Sequence, residues 1–183
     1  MGYTGFMEPF SEILQAGGHA NSLGRANEVF ELLQKDPSRL DELFDCISHE
    51  DAWVRMRAID TFEKLVRQNP NLALPYLEAI FNDLTKSIQP SIQWHLAEIF
   101  TEVELTDTQR VKAIEWLKNN LKTVSVDWIV AANTMKALLH FRKLGYVKAD
   151  ELLRLFQVQT EHHSKAVRKK ATASIETIEA YNR

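Results

Sequence analysis

One apolar frame returns five times along these 183 residues. With VRMRAIDTFEKL at 54–65 as template, IQWHLAEIFTEV at 92–103, VAANTMKALLHF at 130–141 and VRKKATASIETI at 167–178 superimpose on it, and an earlier copy, SLGRANEVFELL, begins at Ser22. The equivalent residues Arg25, Arg57, His95, Asn133 and Lys170 stand 32, 38, 38 and 37 residues apart. An interval of that size has room for two helices and their turns. One such pair cannot bury its own apolar stripe, so pairs have to stack on their neighbours.

The space between copies reads as helix too. Apolar residues recur at helical spacing almost throughout, strict alternation is absent, and the chain holds only six glycines and five prolines. Breaks fall at Gly17-Gly18, Asp36-Pro37, Asn69-Pro70, Gln89-Pro90, Thr106-Asp107 and Gly145. Asp36 ahead of Pro37 has the form of an N-cap with proline in the first turn, where the missing N–H costs nothing. TDTQ at 106–109 has capping-box form, and SHED at 48–51 follows the same logic. Partner helices are predicted near 38–48, 71–86, 107–122 and 147–161, with a weaker first one near Glu8 to Gln15. The expected architecture is all-α: about five helix pairs in a single domain over 1–183, with 1–18 as a flexible or atypical N-terminal cap.

Composition restricts the function classes. The formal net charge is -3, from 22 basic and 25 acidic side chains, so no overall field attracts a polyanion. The single cysteine, Cys46, has no partner for an internal disulfide, and no apolar run is long enough to cross a bilayer. Position 6 is Phe6, where a myristoylation signal places Ser or Thr. These features point to a cytoplasmic protein without a membrane partner, and leave its oligomeric state open.

Val54-Arg55-Met56-Arg57-Ala58, repeated as Val167-Arg168-Lys169-Lys170-Ala171, resembles the second helix of a HEAT repeat. The other copies keep the apolar frame without the arginine. The resemblance runs from about residue 20 to the end, and implies a right-handed α-solenoid whose second helices line a concave surface. In that family an acidic residue commonly sits five positions before the valine. Here His49 and His162 take those places, which leaves Glu50 or Asp51 as the acidic partner of Arg55.

At about 100° per residue, Val54, Ala58, Thr61, Phe62 and Leu65 share one stripe, which is core. Arg55 lies at its edge, placed for helix-end carbonyls or carboxylates. Trp53, Arg57, Asp60, Lys64 and Arg67 fall on the other side, toward the concave surface or its rim. Carried to every copy, the wheel gives two columns: Arg25, Arg57, His95, Asn133, Lys170, and three residues on Glu28, Asp60, Glu98, Lys136, Ala173. A mainly basic line thus runs beside a mainly acidic one. Such i,i+3 pairs also form ordinary intrahelical contacts of about 0.2–0.5 kcal/mol. Read as a binding face, the columns suit a protein or peptide segment of mixed charge, with Trp53 and Trp94 as aromatic anchors. Trp116 and Trp128 are assigned to core or helix junctions. HHSKAVRKK at 162–170 reads as the polar surface of a terminal capping unit, or as a phosphate contact.

Catalytic chemistry is not written in the chain. Glu98, Glu102 and His95 share a helical face, yet a di-iron bundle needs a second Glu-x-x-His and further carboxylates. Cys46-x-x-His49 lacks the second pair of a zinc site, and Cys46 among Leu43, Phe44 and Ile47 reads as a buried, inert thiol. No glycine-rich phosphate loop, zincin motif or nucleophile elbow occurs. The sequence therefore predicts a non-enzymatic scaffold without cofactor or metal, binding a protein or peptide through Arg25, Trp53, Arg57, Asp60, Trp94, His95, Glu98, Asn133, Lys136 and Lys170. The alternative is a nucleic-acid-binding or DNA-repair protein. DAWVR at 51–55 resembles a Trp-Val-Arg element of the helical-repeat DNA glycosylases that excise alkylated bases, although no full set of aromatics and catalytic carboxylate matches.

Overall fold

The computed structural model describes residues 7–18 and 22–181, and every regular element among them is helical. The chain packs as two compact units, Met1–Leu72 and Ala73–Arg183.

The first unit holds α1 (Phe10–Gln15), α2 (Ala26–Lys35), α3 (Leu40–Asp45) and α4 (Ala52–Gln68). Helix α4 carries the template segment, and its whole predicted stripe is buried: Val54, Ala58, Thr61, Phe62 and Leu65. The phenyl ring of Phe62 meets Phe44 edge-on at 5.4 Å. Because α1, α2 and α3 all pack on α4, burial spreads past one stripe to Ile59, Val66 and Arg57. Helix α1 is short, yet Phe10, Ile13 and Leu14 are buried, so the part of the expected N-terminal cap that starts at Phe10 is packed. Residues 1–6 of that cap lie outside the described residues.

Glu42 holds α1 in place. Its carboxylate accepts from the Phe10 backbone N–H at 2.7 Å and from Arg39 at 2.7 and 2.9 Å, and the Arg39 guanidinium lies 3.9 Å over the Phe10 ring. Partial burial pushes the Glu42 carboxyl up, but the Arg39 and Phe10 hydrogen bonds outweigh it and hold the group below the ordinary carboxylate value.

The second unit holds α5 (Leu77–Asn82), α6 (Pro90–Glu102), α7 (Asp107–Asn120), α8 (Trp128–Lys143), α9 (Ala149–Gln159) and α10 (Lys165–Tyr181). The three helices that carry the repeated frame pack one on the next, α6 on α8 and α8 on α10. Helix α7 lies against α6 and α8, and α9 against α8 and α10. The core between them takes Ile92, Leu96 and Phe100 from α6, Ile114 and Leu117 from α7, Val130 and Leu138 from α8, Phe156 from α9 and Val167 from α10.

The predicted punctuation is largely met. Asp36 accepts from Ser38 N–H at 3.0 Å with Pro37 in the first turn, although what it caps is the 3-10 turn Pro37–Arg39 that feeds α3. Thr106 and Gln109 form the reciprocal capping box of α7. SHED is corrected: the N-cap of α4 is Asp51, which accepts from Trp53 N–H at 2.7 Å. Gly145 ends α8 with φ 85°, and its N–H and that of Tyr146 reach back to Arg142 and Phe141 at 2.8 and 2.9 Å, the paired bonds of a Schellman motif.

One hydrogen-bonded turn recurs ahead of three of the repeated helices. At His49, Ser87 and His162 the side chain accepts from the backbone N–H two residues on, at 3.0, 3.2 and 2.9 Å. The carbonyl of the same residue accepts from the side chain six residues on: Arg55 at 2.7 Å, Gln93 at 3.0 Å and Arg168 at 2.7 Å. Histidine Nδ1 is thus the acceptor in two of these turns, and Arg55 and Arg168 serve carbonyls at the helix entry. In His162 the other ring nitrogen lies 2.8 Å from the Val126 carbonyl, so an Nε2–H tautomer satisfies both contacts. The copy leading into α8 has Ala131 at the donor position, and Gln159 and His162 grip that turn instead, at the carbonyls of Leu121, Thr123 and Val126.

Candidate functional site

The predicted site residues separate into those the fold uses internally and those that meet at a surface. In the first unit Arg25 pairs with Glu8 at 2.8 Å and with Glu28 at 2.9 Å. Asp60 is half-buried and pairs with Lys64 at 2.7 Å, one helical turn away. Trp53 is 37% exposed.

Arg57 is a correction. It is 3% exposed, not on an open face, and its guanidinium donates to the backbone carbonyls of Leu14, Gln15 and Ser22. Leu14 and Gln15 end α1, so Arg57 supplies the donors that the helix terminus lacks. Gly24, at φ 51°, lies so close that a Cβ there would stand 3.2 Å from the guanidinium carbon and 2.6 Å from the Gly17 carbonyl. The wheel failed here because it assumed one covered side, whereas α4 is covered by α1 and α2 as well as by α3.

His95 is the second correction. It is 1% exposed, its Nδ1 lies 2.6 Å from the Ser91 carbonyl, and its ring stacks on the half-buried Trp94. The two other tryptophans divide. Trp116 joins two elements as expected, donating to the Thr85 carbonyl at 2.9 Å and meeting Phe100 edge-on. Trp128 is 51% exposed at the start of α8, so of the two expected places it takes the helix junction and not the core.

Glu98, Asn133 and Lys136 come together. They line a cleft of about 220 Å³ between α6 and α8, with Thr101, Glu102 and His140 and a floor of Ala97 and Ala137. The ammonium of Lys136 bonds both carboxylate oxygens of Glu98, at 2.9 and 3.0 Å, across an interval of 38 residues. Glu98 is 9% exposed and Lys136 62%, so the pair is rooted in the floor and opens to solvent. Asn133 donates back to Ile129 at 3.0 Å, which fixes its rotamer at the rim. Lys170, on α10, stands near enough for its charge to feel both partners.

Glu102, Thr101 and His140 were missing from the predicted set. The signal was present: Glu102 and His140 lie four residues beyond Glu98 and Lys136, one turn further along the same helical face. A second, more open depression of about 410 Å³ lies at the turns around Ile88, Thr123 and Asp127, and Asp127 there is engaged in capping α8 through Ile129 N–H.

Among the described residues no three histidine, cysteine, aspartate or glutamate side chains gather to hold a metal ion. Cys46 is buried, and burial, reinforced by Glu42 and Asp45, pushes its thiol up to about 11, which keeps it a thiol at neutral pH. No helix among the described residues is long and apolar enough to cross a membrane.

No family model matches the chain, and no curated protein matches it. An engineered protein, whose crystal structure comes from the Northeast Structural Genomics Consortium, is similar in structure at a TM-score of 0.56, over 93% of this chain and 80% of that one. At 15% identity the likeness is one of fold alone.

Proposed function

We propose that this chain is a HEAT-like, right-handed α-solenoid of about five helix pairs, acting as a non-enzymatic scaffold that takes a protein or peptide segment into the cleft between α6 and α8. The repeat interval, the recurring polar turn and the successive packing of α6, α8 and α10 support the architecture. The observation that carries the function is the cleft itself. Two consecutive repeats present carboxylates on one wall, Glu98 and Glu102, and Lys136 with His140 on the other, above a floor of two alanines. An extended segment is recognised by groups of that kind: small residues let its backbone approach, and opposed charges fix its direction.

The test is affinity capture from the native host with full-length protein, comparing wild type with Glu102→Lys and His140→Glu. Lys112→Glu, on α7 and away from the cleft, is the control. The reading predicts a partner retained by wild type and the control and lost from both cleft variants. Retention by all four proteins would contradict it.

A further inference from the structure

Helix α10 distributes its charges differently from its neighbours. In α7 and α9 opposite charges sit about one turn apart and pair within the helix, Arg110 with Asp107, Lys118 with Glu115 and Arg154 with Asp150. Between α6 and α8 they pair across the packed helices, Glu98 with Lys136. Helix α10 instead has its exposed lysines, Lys165 and Lys169, in its first half and its exposed carboxylates, Glu176 and Glu179, in its second. Lys169 and Glu176 stand seven residues apart, beyond the reach of an intrahelical pair. Among the described residues none of the four has an ion-pair partner. The order also runs against the helix dipole, which favours carboxylates at the start and cations at the end.

The face that carries these charges is open. At the sixth position of the repeated frame, Ala97 on α6 and Met135 on α8 are fully buried, whereas Thr172 on α10 is exposed. At about 100° per residue, Ala166, Ala173 and Ala180 run along the centre of the exposed face, and Lys165, Lys169, Glu176 and Glu179 along one flank. We propose that two copies of this chain meet here, α10 against α10, antiparallel about a two-fold axis beside Thr172 and Ala173. In that register Lys169 lies opposite the partner's Glu176 and Lys165 beside the partner's Glu179, and the symmetry forms each pair twice. The three alanines let the helices approach closely, and each end of one dipole meets the opposite end of the other. A parallel pairing would set lysine on lysine. A nucleic acid or other acidic partner suits only the first half of the face and is repelled by the second, and a basic partner meets the reverse. The same helix, reversed, complements both halves. This inference stands apart from the α6–α8 cleft.

The experiment is sedimentation velocity on the full chain from micromolar to submillimolar concentration, at low and at physiological salt. It compares wild type, Lys169→Glu, Glu176→Lys and an equimolar mixture of the two variants. Each substitution moves the charge pattern of α10 toward the one its dipole favours, so both variants should stay folded, and thermal melts verify this. Wild type is expected to pass from monomer to dimer as concentration rises, more readily at low salt. Either variant alone sets like charges opposite each other and should associate about tenfold more weakly or worse. The mixture should regain the dimer, because each substituted side chain then faces an unlike charge on the other variant. The idea is overturned if wild type stays monomeric throughout, as a merely solvated end helix would. It is overturned equally if either variant alone dimerises as wild type does, or if the mixture associates no better than its components.

Discussion

At the scale of single residues, the fold converts groups that look like surface chemistry into internal support. Arg57 sits on the polar side of its helical wheel, yet its donors are taken up by the carbonyls of Leu14, Gln15 and Ser22. Arg57→Ala should leave those buried acceptors without a partner and destabilise the protein by about 1.5–3 kcal/mol, read as a lower urea midpoint. Thr134 is the opposite case. It occupies the position of Ala58 and Ala171 in the repeated frame, is fully buried, and its hydroxyl has no hydrogen-bond partner. Thr134→Val keeps the shape and removes the unsatisfied hydroxyl, so the account predicts a gain of about 1 kcal/mol, seen as a raised Tm. An unchanged or lowered Tm would mean that the hydroxyl is satisfied in solution.

At the scale of elements, most of the helices were legible, because apolar spacing and capping chemistry are local. The α7 capping box, the Asp36-Pro37 start and the Gly145 stop all depend on a few neighbouring residues. Of the polar turn, His49 and His162 were legible five positions before the valine, whereas Ser87 at the same offset escaped because its acceptor differs in residue type and only the geometry repeats. Ala58 of the predicted core stripe is completely buried, so Ala58→Leu should overpack α4 and cost about 1–3 kcal/mol in an unfolding titration.

Helix α1 gives a pH test of its own. Glu42 has a folded pKa below its unfolded value of about 4.5, so its contribution is fully present above that value and is lost as pH falls through the lower folded one. Wild type should melt above Glu42→Gln at neutral pH, and the two melting temperatures should converge on acidification. A gap that stays constant into acid would show that the carboxylate charge is not what holds α1.

At the scale of the whole molecule, the repeat interval was legible and the covering of each helix was not. A wheel drawn for one helix does not know how many neighbours it has. Hence Arg57 and His95, from the first column, were placed outward and are buried, while Glu98 and Lys136, from the second, do meet at a surface. Their pairing across 38 residues was implicit in the second column, where an acidic position in one repeat is followed by a basic one in the next. The occupant proposed for the cleft lies outside any single-chain pattern, because its charges would belong to another molecule.

The most direct measurement is site-specific photo-crosslinking in the native host, with a benzophenone side chain introduced at Glu102 in the cleft and, separately, at Val111 on the exposed side of α7. The account predicts a discrete crosslinked protein from position 102 and none from position 111. Crosslinks from 111 alone, or from neither position, would contradict the assignment of the α6–α8 cleft as the surface through which this chain works.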